Sequence, residues 1–175
     1  MQTDKLARFE QSVLPYLNAA HNLAYWLVHN HHDAEDVVQD AFLRAFEFFD
    51  GFHDGNARAW ILTIVRNTSY SWLQRNRSQV LVTEFNEEAH SATGNSPDPE
   101  ILMQRASDTQ LMKDALDQLP LPFREVLVLR EIQDLSYKEI VEVTHLPLGT
   151  VMSRLARGRK RLQQYLVENT SQGVG

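Results

Sequence analysis

The feature that most limits what this chain can fold into is a stretch near its C-terminal end, from Leu148 to Leu162. Wound as a helix, it carries apolar residues along one side and hydroxyl and basic residues along the other. No acidic residue occurs between Gly149 and Tyr165. The pattern favours a helix that packs on a small domain and contacts a polyanion through its basic face. Taken alone, it also fits an ordinary solvated face.

The residues just before this stretch predict a shorter helix with a well-defined start. Ser136 and Glu139 have the spacing of a capping box. Leu135 and Ile140 have the spacing of a hydrophobic staple. We expect this helix to end near Val143, and a brief turn then leads into the basic helix. Together the two helices make a helix-turn-helix, which weakens the interpretation of the basic face as merely solvated.

The polar face of the second helix supplies the expected DNA contacts. We expect Arg154 and Arg157 to lie at or near base edges. Thr150 and Ser153, close to the helix N-terminus, should contact phosphates or bases, and Lys160 and Arg161 should contact phosphates. The full set is Thr150, Ser153, Arg154, Arg157, Lys160 and Arg161.

The N-terminal half of the chain is also expected to be helical. Apolar spacing predicts a first helix over about 6–29, in which Pro15 marks a kink or a helix start. A second helix should begin with Asp33 as its N-cap and Asp36 at N3, and should reach about residue 49. A third helix, capped by Asn56, should cover about 57–77.

Charge is unevenly distributed along the 175 residues, although the net charge of −6 is acidic. Only bases occur between Ile61 and Val80, and only acids between Leu81 and Gln104. Local fields therefore predict two basic surfaces and at least one acidic surface. The absence of cysteine excludes disulfides and thiolate metal sites. The start lacks the apolar segment of a signal peptide and the apolar runs are too short to span a bilayer, so we expect a cytoplasmic protein without membrane contact.

A change of composition separates the two halves. Residues 78–97 have few large apolar side chains and carry acids but no Lys or Arg, which favours a flexible acidic linker. Asp98 and Pro99 have the order of an N-cap and first residue of a new helix. We therefore expect an all-α fold with two small helical domains, at 1–77 and 98–175, the second of them a helix-turn-helix domain.

Two helix faces in the first domain have the composition of binding surfaces. On the second predicted helix, Asp36, Gln39 and Asp40 form a negative face that suits a basic protein partner, although a solvated face fits equally well. The third predicted helix presents amides, an aromatic ring and arginines, a combination that suits phosphate contact and base stacking. Its candidate DNA-binding residues are Arg66, Asn67, Tyr70, Ser71 and Arg75, together with Asn56 at the preceding cap. Tyr70 fits the edge of the core as well as it fits a stacking platform. Trp60 is expected in the core.

Four sequence blocks, in this order and spacing, resemble those of the ECF (extracytoplasmic function, group 4) sigma factors of bacterial RNA polymerase. They are residues 33–42, 60–67, 135–140 and 149–155. The resemblance implies an alternative-sigma transcription initiation factor that directs core polymerase to −35 and −10 promoter elements. It also implies sequestration by an anti-sigma factor. His145 departs from the family pattern, because glycine is common at this turn position.

The family resemblance assigns roles to the residues already singled out. The residues matched to the grip on the clamp helices of the polymerase β′ subunit are Asp33, Asp36, Gln39 and Asp40. The loop from Asp50 to Asn56 and the helix carrying Asn67, Ser71 and Arg75 match the part that reads and melts the −10 element. The second domain matches the part that reads the −35 element and contacts the β flap. We expect DNA binding by the isolated chain to be weak until polymerase supplies a second anchor.

Other function classes have less support in the sequence. A free-standing helix-turn-helix regulator with an N-terminal sensing domain is the alternative. A metal sensor built on His29, His31, His32 and Asp33 is disfavoured because neighbouring residues at a helix end diverge. No glycine-rich phosphate loop, nucleophile motif or spaced carboxylate pair suggests an enzyme, and no cofactor or metal is expected.

Overall fold

A computed structural model of the protein describes residues 2–52, 55–76 and 100–172, and this part of the chain is helical and contains no strand. The expected all-α class is therefore confirmed. The helices, in chain order, are α1 Gln2–Ser12, α2 Leu17–Val28, α3 His31–Phe48, α4 Ala57–Arg75, α5 Glu100–Asp117, α6 Leu121–Leu127, α7 Tyr137–Thr144 and α8 Leu148–Gln172. A π-helical segment, Val128–Ile132, continues α6. The predicted linker at 78–97 and the predicted cap at Asp98 lie outside the described residues.

Helices α1 to α4 form the first domain, and their buried apolar residues belong to a core that continues into the second domain. Pro15 lies in a 3-10 turn, Leu14–Tyr16, and this turn separates α1 from α2 as the proline predicted. The ring of Phe9 on α1 meets Phe42, Phe46 and Phe49 edge-on, with centroids 5.4 to 6.2 Å apart. This geometry is favourable for aromatic pairs and fixes α1 against the end of α3.

The predicted start of α3 was wrong by three residues. The N-cap is Asn30, whose side chain accepts a hydrogen bond from the Asp33 backbone N–H at 3.0 Å. His29 ends α2 with a left-handed φ of 65°, so the chain reverses direction one residue before the cap. Asn and Asp are comparable N-caps, and the spacing of apolar residues in the sequence did not reveal the short turn at His29. Asp33 instead lies in the first turn, where burial raises the pKa of its carboxyl.

The helix-turn-helix forms as predicted. The Ser136 side chain accepts from the Glu139 N–H at 3.1 Å, and the Glu139 carboxylate accepts from the Ser136 N–H at 3.0 Å. Leu135 and Ile140 are both fully buried, as a hydrophobic staple requires. His145 closes α7 with a left-handed φ of 58°. The next helix, α8, then runs to Gln172, well beyond the basic stretch.

The first turns of α8 pack closely on α6. Val151 and Leu155 are buried, and a Cβ added at Gly158 would lie 3.1 Å from the side chain of Leu127. Every residue of α6 from Arg124 to Leu127 is buried, because α6 is covered by α8 on one side and by α2 on the other. The second half of α6 is therefore a central element of the molecule.

The second domain rests directly on the first. Helix α7 packs along α4, while α6 packs on α2. The Gln133 side chain donates to the Ala19 carbonyl at 3.0 Å, and Nδ1 of His29 lies 3.0 Å from a carboxylate oxygen of Asp117. This arrangement determines which of the expected binding residues face solvent.

Candidate nucleic-acid and polymerase interfaces

The basic face of α8 is largely open to solvent. Ser153, Arg157 and Lys160 are exposed, whereas Thr150 and Arg154 are half-buried at the edge of the face. Arg161 is exposed and its guanidinium lies 5.0 Å from the centre of the Phe123 ring. The N-terminal turns of α8 therefore present hydroxyls and cations to solvent on one face.

Two features of α8 were not singled out by the sequence pattern. Arg159 is held by Glu131 through hydrogen bonds of 2.8 and 3.0 Å, and the bond to Glu131 raises its pKa. Arg159 therefore has a partner within the domain, although both side chains are about half exposed to solvent. Leu148 and Met152 are each 50% exposed on the same helix, so one edge of the basic face is apolar.

The expected polymerase-binding residues share one outward face of α3. Asp36 and Gln39 are exposed, Asp40 is half-buried, and Asp40 pairs with Arg44 one turn later at 3.3 Å. Leu43, 67% exposed, extends the same face. The opposite side of α3 is anchored in the core, so the backbone positions of this face are fixed. Asp33 lies half-buried at the start of the helix.

The structure divides the expected −10 residues of α4 into two groups. Asn67, Ser71 and Arg75 lie one turn apart and are exposed on one side of α4. Arg66 and Tyr70 are half-buried and turn towards the second domain. The sequence pattern had placed all five on one face, because it could not show that a second domain packs along α4.

Glu125 of α6 binds both Arg66 and Tyr70. It forms an ion pair with Arg66 Nε, and it accepts a hydrogen bond of 2.7 Å from the Tyr70 hydroxyl. Glu125 is completely buried, and the Arg66 guanidinium lies 4.5 Å from the centre of the Tyr70 ring. Burial and the adjacent Glu125 carboxylate raise the pKa of Tyr70. Burial opposes the charge of Arg66, but its contacts with Glu125 outweigh this effect and raise its pKa.

A second carboxylate, that of Glu139, binds the start of α4. The Arg58 guanidinium reaches its two oxygens at 3.0 and 2.8 Å, and the Asn56 amide donates to it at 2.9 Å. Asn56 also caps α4, as predicted, by accepting from the Ala59 N–H at 3.1 Å. Burial of Glu139 is outweighed by the hydrogen bonds from Ser136, Arg58 and Asn56, which lower its pKa to about 2.

The sequence pattern did not single out Arg58 and Glu125, although each left a signal of a charged partner elsewhere in the chain. Arg58 is a cation in the first turn of a helix, where the helix dipole disfavours it unless an anion lies nearby. Glu125 is an acid within a run of core residues, and buried carboxylates need a partner. Neither signal identifies the partner, because both contacts join residues more than 50 positions apart.

A cleft of about 910 Å³ opens between the loop before α4 and the turn of the helix-turn-helix. Its walls are mainly apolar. They include Phe52, Trp60, Ile64, Val141, Leu146 and Pro147. Trp60 was expected in the core, but it is half-buried and its ring lies 4.9 Å from that of Phe52.

The histidines near the start of α3 have separate contacts. His29 faces Asp117, and the His31 ring stacks on Tyr25 at 4.2 Å. Across the described ranges, no group of three or more His, Cys, Asp or Glu side chains is placed to hold a metal ion. Nor is any helix in those ranges long and apolar enough to cross a membrane.

Comparison with protein families gives two matches, one in each half of the chain. Residues 13–79 match the family described as Sigma-70 region 2, and residues 109–162 match Sigma-70, region 4. The first match contains the exposed face of α3 and all of α4. The second contains the helix-turn-helix and most of its basic face.

Individual relatives extend the similarity over nearly the whole chain. The chain is 32% identical to the ECF RNA polymerase sigma factor SigE of Mycolicibacterium smegmatis, over 94% of this chain and 63% of the relative. It is 31% identical to the ECF RNA polymerase sigma factor SigW of Bacillus subtilis, over 86% of this chain and 84% of the relative. Among solved structures, the sigma factor RpoE of Bartonella quintana, in complex with the anti-sigma factor NepR, superposes with a TM-score of 0.69 at 29% identity. That match covers 91% of this chain and 96% of RpoE.

Proposed function

Because this chain belongs to the ECF RNA polymerase sigma factors, we propose that it recruits bacterial core polymerase to promoters with paired −35 and −10 elements, as a group 4 sigma factor. Sigma factors are transcription initiation factors without catalytic activity, so the chain acts through binding energy alone. The family membership also decides against the alternative of a free-standing helix-turn-helix regulator.

The −35 element is assigned to the second domain, at 98–175. This assignment rests on the exposed polar face of α8, which carries the cations. Helix α8 is the second helix of a helix-turn-helix whose first helix starts with a capping box. Arg154 and Arg157 lie near base edges, and Lys160 and Arg161 bind phosphates. Thr150 and Ser153, in the first turns of α8, bind phosphates or bases.

The −10 element is assigned to the first domain, at 1–77. Asn67, Ser71 and Arg75 offer an exposed amide, hydroxyl and cation along one side of α4. Asn56, Arg66 and Tyr70 extend this surface towards the second domain. Melting follows when separated bases bind here more favourably than the duplex, through stacking and phosphate contacts.

The acidic face of α3 is assigned to the polymerase. Asp33, Asp36, Gln39 and Asp40 bind the clamp helices of the β′ subunit, and the second domain contacts the β flap. Support comes from the exposure of Asp36 and Gln39 on a helix whose other side is fixed in the core. The anti-sigma partner is proposed from the similarity to RpoE, which was crystallised with NepR.

The test is run-off transcription from purified core polymerase with and without this chain, using genomic DNA fragments as templates. We expect discrete transcripts that require the chain and co-elution of the chain with core polymerase in gel filtration. An Asp36→Arg, Gln39→Ala variant should lose co-elution, whereas Glu10→Arg, on an exposed part of α1, should keep it. Absence of chain-dependent transcripts together with absence of co-elution would contradict the proposal.

A further inference from the structure

One edge of helix α8 is apolar and open to solvent. Leu148 and Met152 are each 50% exposed, although they lie beside the polar residues that are assigned to the −35 element. They are four residues apart and therefore share one side of the helix. We propose that Leu148 and Met152 determine part of the promoter specificity, by packing on the C5-methyl groups of thymines in the −35 element. This proposal rests on the assignment of α8 to that element.

The first turns of α8 allow a close approach to a groove. The row opposite the buried side of these turns consists of the small residues Gly149, Ser153 and Ala156, all of them exposed. A Cβ added at Gly149 would meet no atom within 4 Å, so the backbone there is uncovered. Small side chains let the backbone of a helix lie close to base edges. Leu148 and Met152 border this row and so come within reach of the bases.

The two borders of the row differ in charge. Arg157, on one border, is exposed. On the other border, Arg159 follows Met152 by seven residues, close to two full turns, and its guanidinium is bonded to Glu131 at 2.8 Å. The border that starts with Leu148 and Met152 is therefore apolar at its start and pairs its arginine within the domain. This composition fits a base edge better than a phosphate, because an apolar side chain offers a phosphate no hydrogen bond in place of water.

Thymine is the base that suits this edge. Its C5-methyl group is the apolar group that base pairs present in the major groove, next to hydrogen-bond donors and acceptors. Contact with that methyl group removes apolar surface of Leu148 and Met152 from water, which is favourable. The two residues are about 6 Å apart along α8, and base pairs are about 3.4 Å apart along the duplex. The contacted thymines should therefore lie within about two base steps of each other.

The experiment uses the complex of the chain with core polymerase and a promoter that gives a chain-dependent run-off transcript. Each thymine of the −35 element, on either strand, is replaced in turn by deoxyuridine, which removes the methyl group and keeps every hydrogen-bonding group. Filter binding measures the affinity for each template relative to its parent. We expect one or two positions at which uracil weakens binding about fourfold, the factor that corresponds to the burial of one methyl-sized group.

Variants of the chain then assign each thymine to a side chain. Met152→Gln keeps the length of the side chain and replaces its apolar end by an amide, so this variant should bind thymine and uracil equally well at one position. Leu148→Asn should do the same at the other position. Both residues lie outside the buried core, and circular dichroism checks that the fold is retained. Combining a change in the protein with a change in the base separates this contact from any effect of uracil on duplex shape.

Met112 provides the matched control, because it is also exposed, at 42%, but lies on α5. Met112→Gln should keep the full preference for thymine. Loss of the preference in Met152→Gln or Leu148→Asn, with retention in Met112→Gln, supports the inference.

Equal binding of every uracil template and its parent by the wild-type chain overturns the inference, as does an unchanged preference in both variants. A −35 element made only of G·C pairs also overturns it. If Met152→Gln reduces co-elution with core polymerase and leaves the thymine preference intact, the apolar edge binds protein and the inference is wrong. A failure of the proposed function shows differently, because then the chain neither co-elutes with core polymerase nor directs transcripts. If transcripts require the chain but uracil has no effect, the thymine contact alone is lost.

Discussion

His145 occupies a left-handed backbone position with φ 58°, a conformation that glycine adopts without strain. We expect His145→Gly to raise the free energy of unfolding by about 0.5–1 kcal/mol. Relief of left-handed strain, about 1–2 kcal/mol, exceeds the entropic cost of glycine, about 0.5–1 kcal/mol. Urea unfolding followed by circular dichroism measures the difference.

His29 provides the matched control, because its φ is 65° and it also ends a helix. Glycine at position 29 relieves similar strain but removes the contact of His29 with Asp117 at 3.0 Å. His29→Gly should therefore gain less than His145→Gly, or lose stability. The strain argument is wrong if the two replacements rank in the opposite order.

Glu139 links stability to pH, because its pKa falls from 4.5 to about 2 in the folded chain. The folded state then binds fewer protons than the unfolded state, so this contribution is complete above pH 4.5 and is lost as the pH falls towards 2. We expect a loss on the order of 1 kcal/mol, since Glu139 is partly screened by solvent. Glu139→Gln should show a shallower decline across this window in urea titrations at several pH values. Parallel pH profiles for the two proteins would exclude this role.

Within the single helix α8, Arg157 and Arg159 lie two positions apart, and we expect their replacement to affect promoter binding differently. Arg157 is exposed, whereas Arg159 is bonded to Glu131 at 2.8 Å. With core polymerase present, Arg157→Ala should weaken promoter binding by about 1–3 kcal/mol and relax the preference at one −35 base. Arg159→Ala should change binding much less. Filter binding to promoters with single-base changes in the −35 element measures the affinity and the base preference of each variant. Equal losses of affinity in Arg157→Ala and Arg159→Ala would show that the bond to Glu131 does not hold Arg159 away from DNA.

Some helix boundaries were predicted better than others. The reason is that caps and breaks depend on residues close in sequence, whereas contacts between the domains do not. The capping box at Ser136 and the break at Pro15 depend on residues within one turn, and both were predicted. The start of α3 was misplaced because Asn30 and Asp33 are both good caps and only the turn at His29 decides between them. The contacts of Glu125 and Glu139 with α4 were not predictable, since they depend on how two domains pack.

In the whole molecule, the packing of the two domains explains why this acidic chain has one open and one partly covered basic surface. On α8, Arg157, Lys160 and Arg161 are exposed, Arg154 is half-buried, and Arg159 is paired with Glu131. On α4 the two arginines at the domain boundary are neutralised by carboxylates from the other domain, and Arg75 remains exposed. A chain of net charge −6 therefore has one basic surface that is open to solvent and another that is partly covered by the second domain. The covered surface depends on domain contacts, so the domains should also be coupled in their stability.

The three tryptophans make this coupling measurable, because Trp26, Trp60 and Trp72 all lie in the first domain. Val151→Ala removes a fully buried side chain in the second domain and should destabilise that domain by about 1–3 kcal/mol. A change confined to the second domain shifts the tryptophan transition only if the two domains unfold together. We therefore expect Val151→Ala to lower the urea midpoint of tryptophan fluorescence in the wild-type chain. In a chain that also carries Glu125→Gln and Glu139→Gln the shift should be smaller, because two of the contacts that transmit it are weakened. An equal fluorescence shift in both backgrounds would mean that other contacts, such as those of Gln133 with Ala19 and His29 with Asp117, hold the domains together.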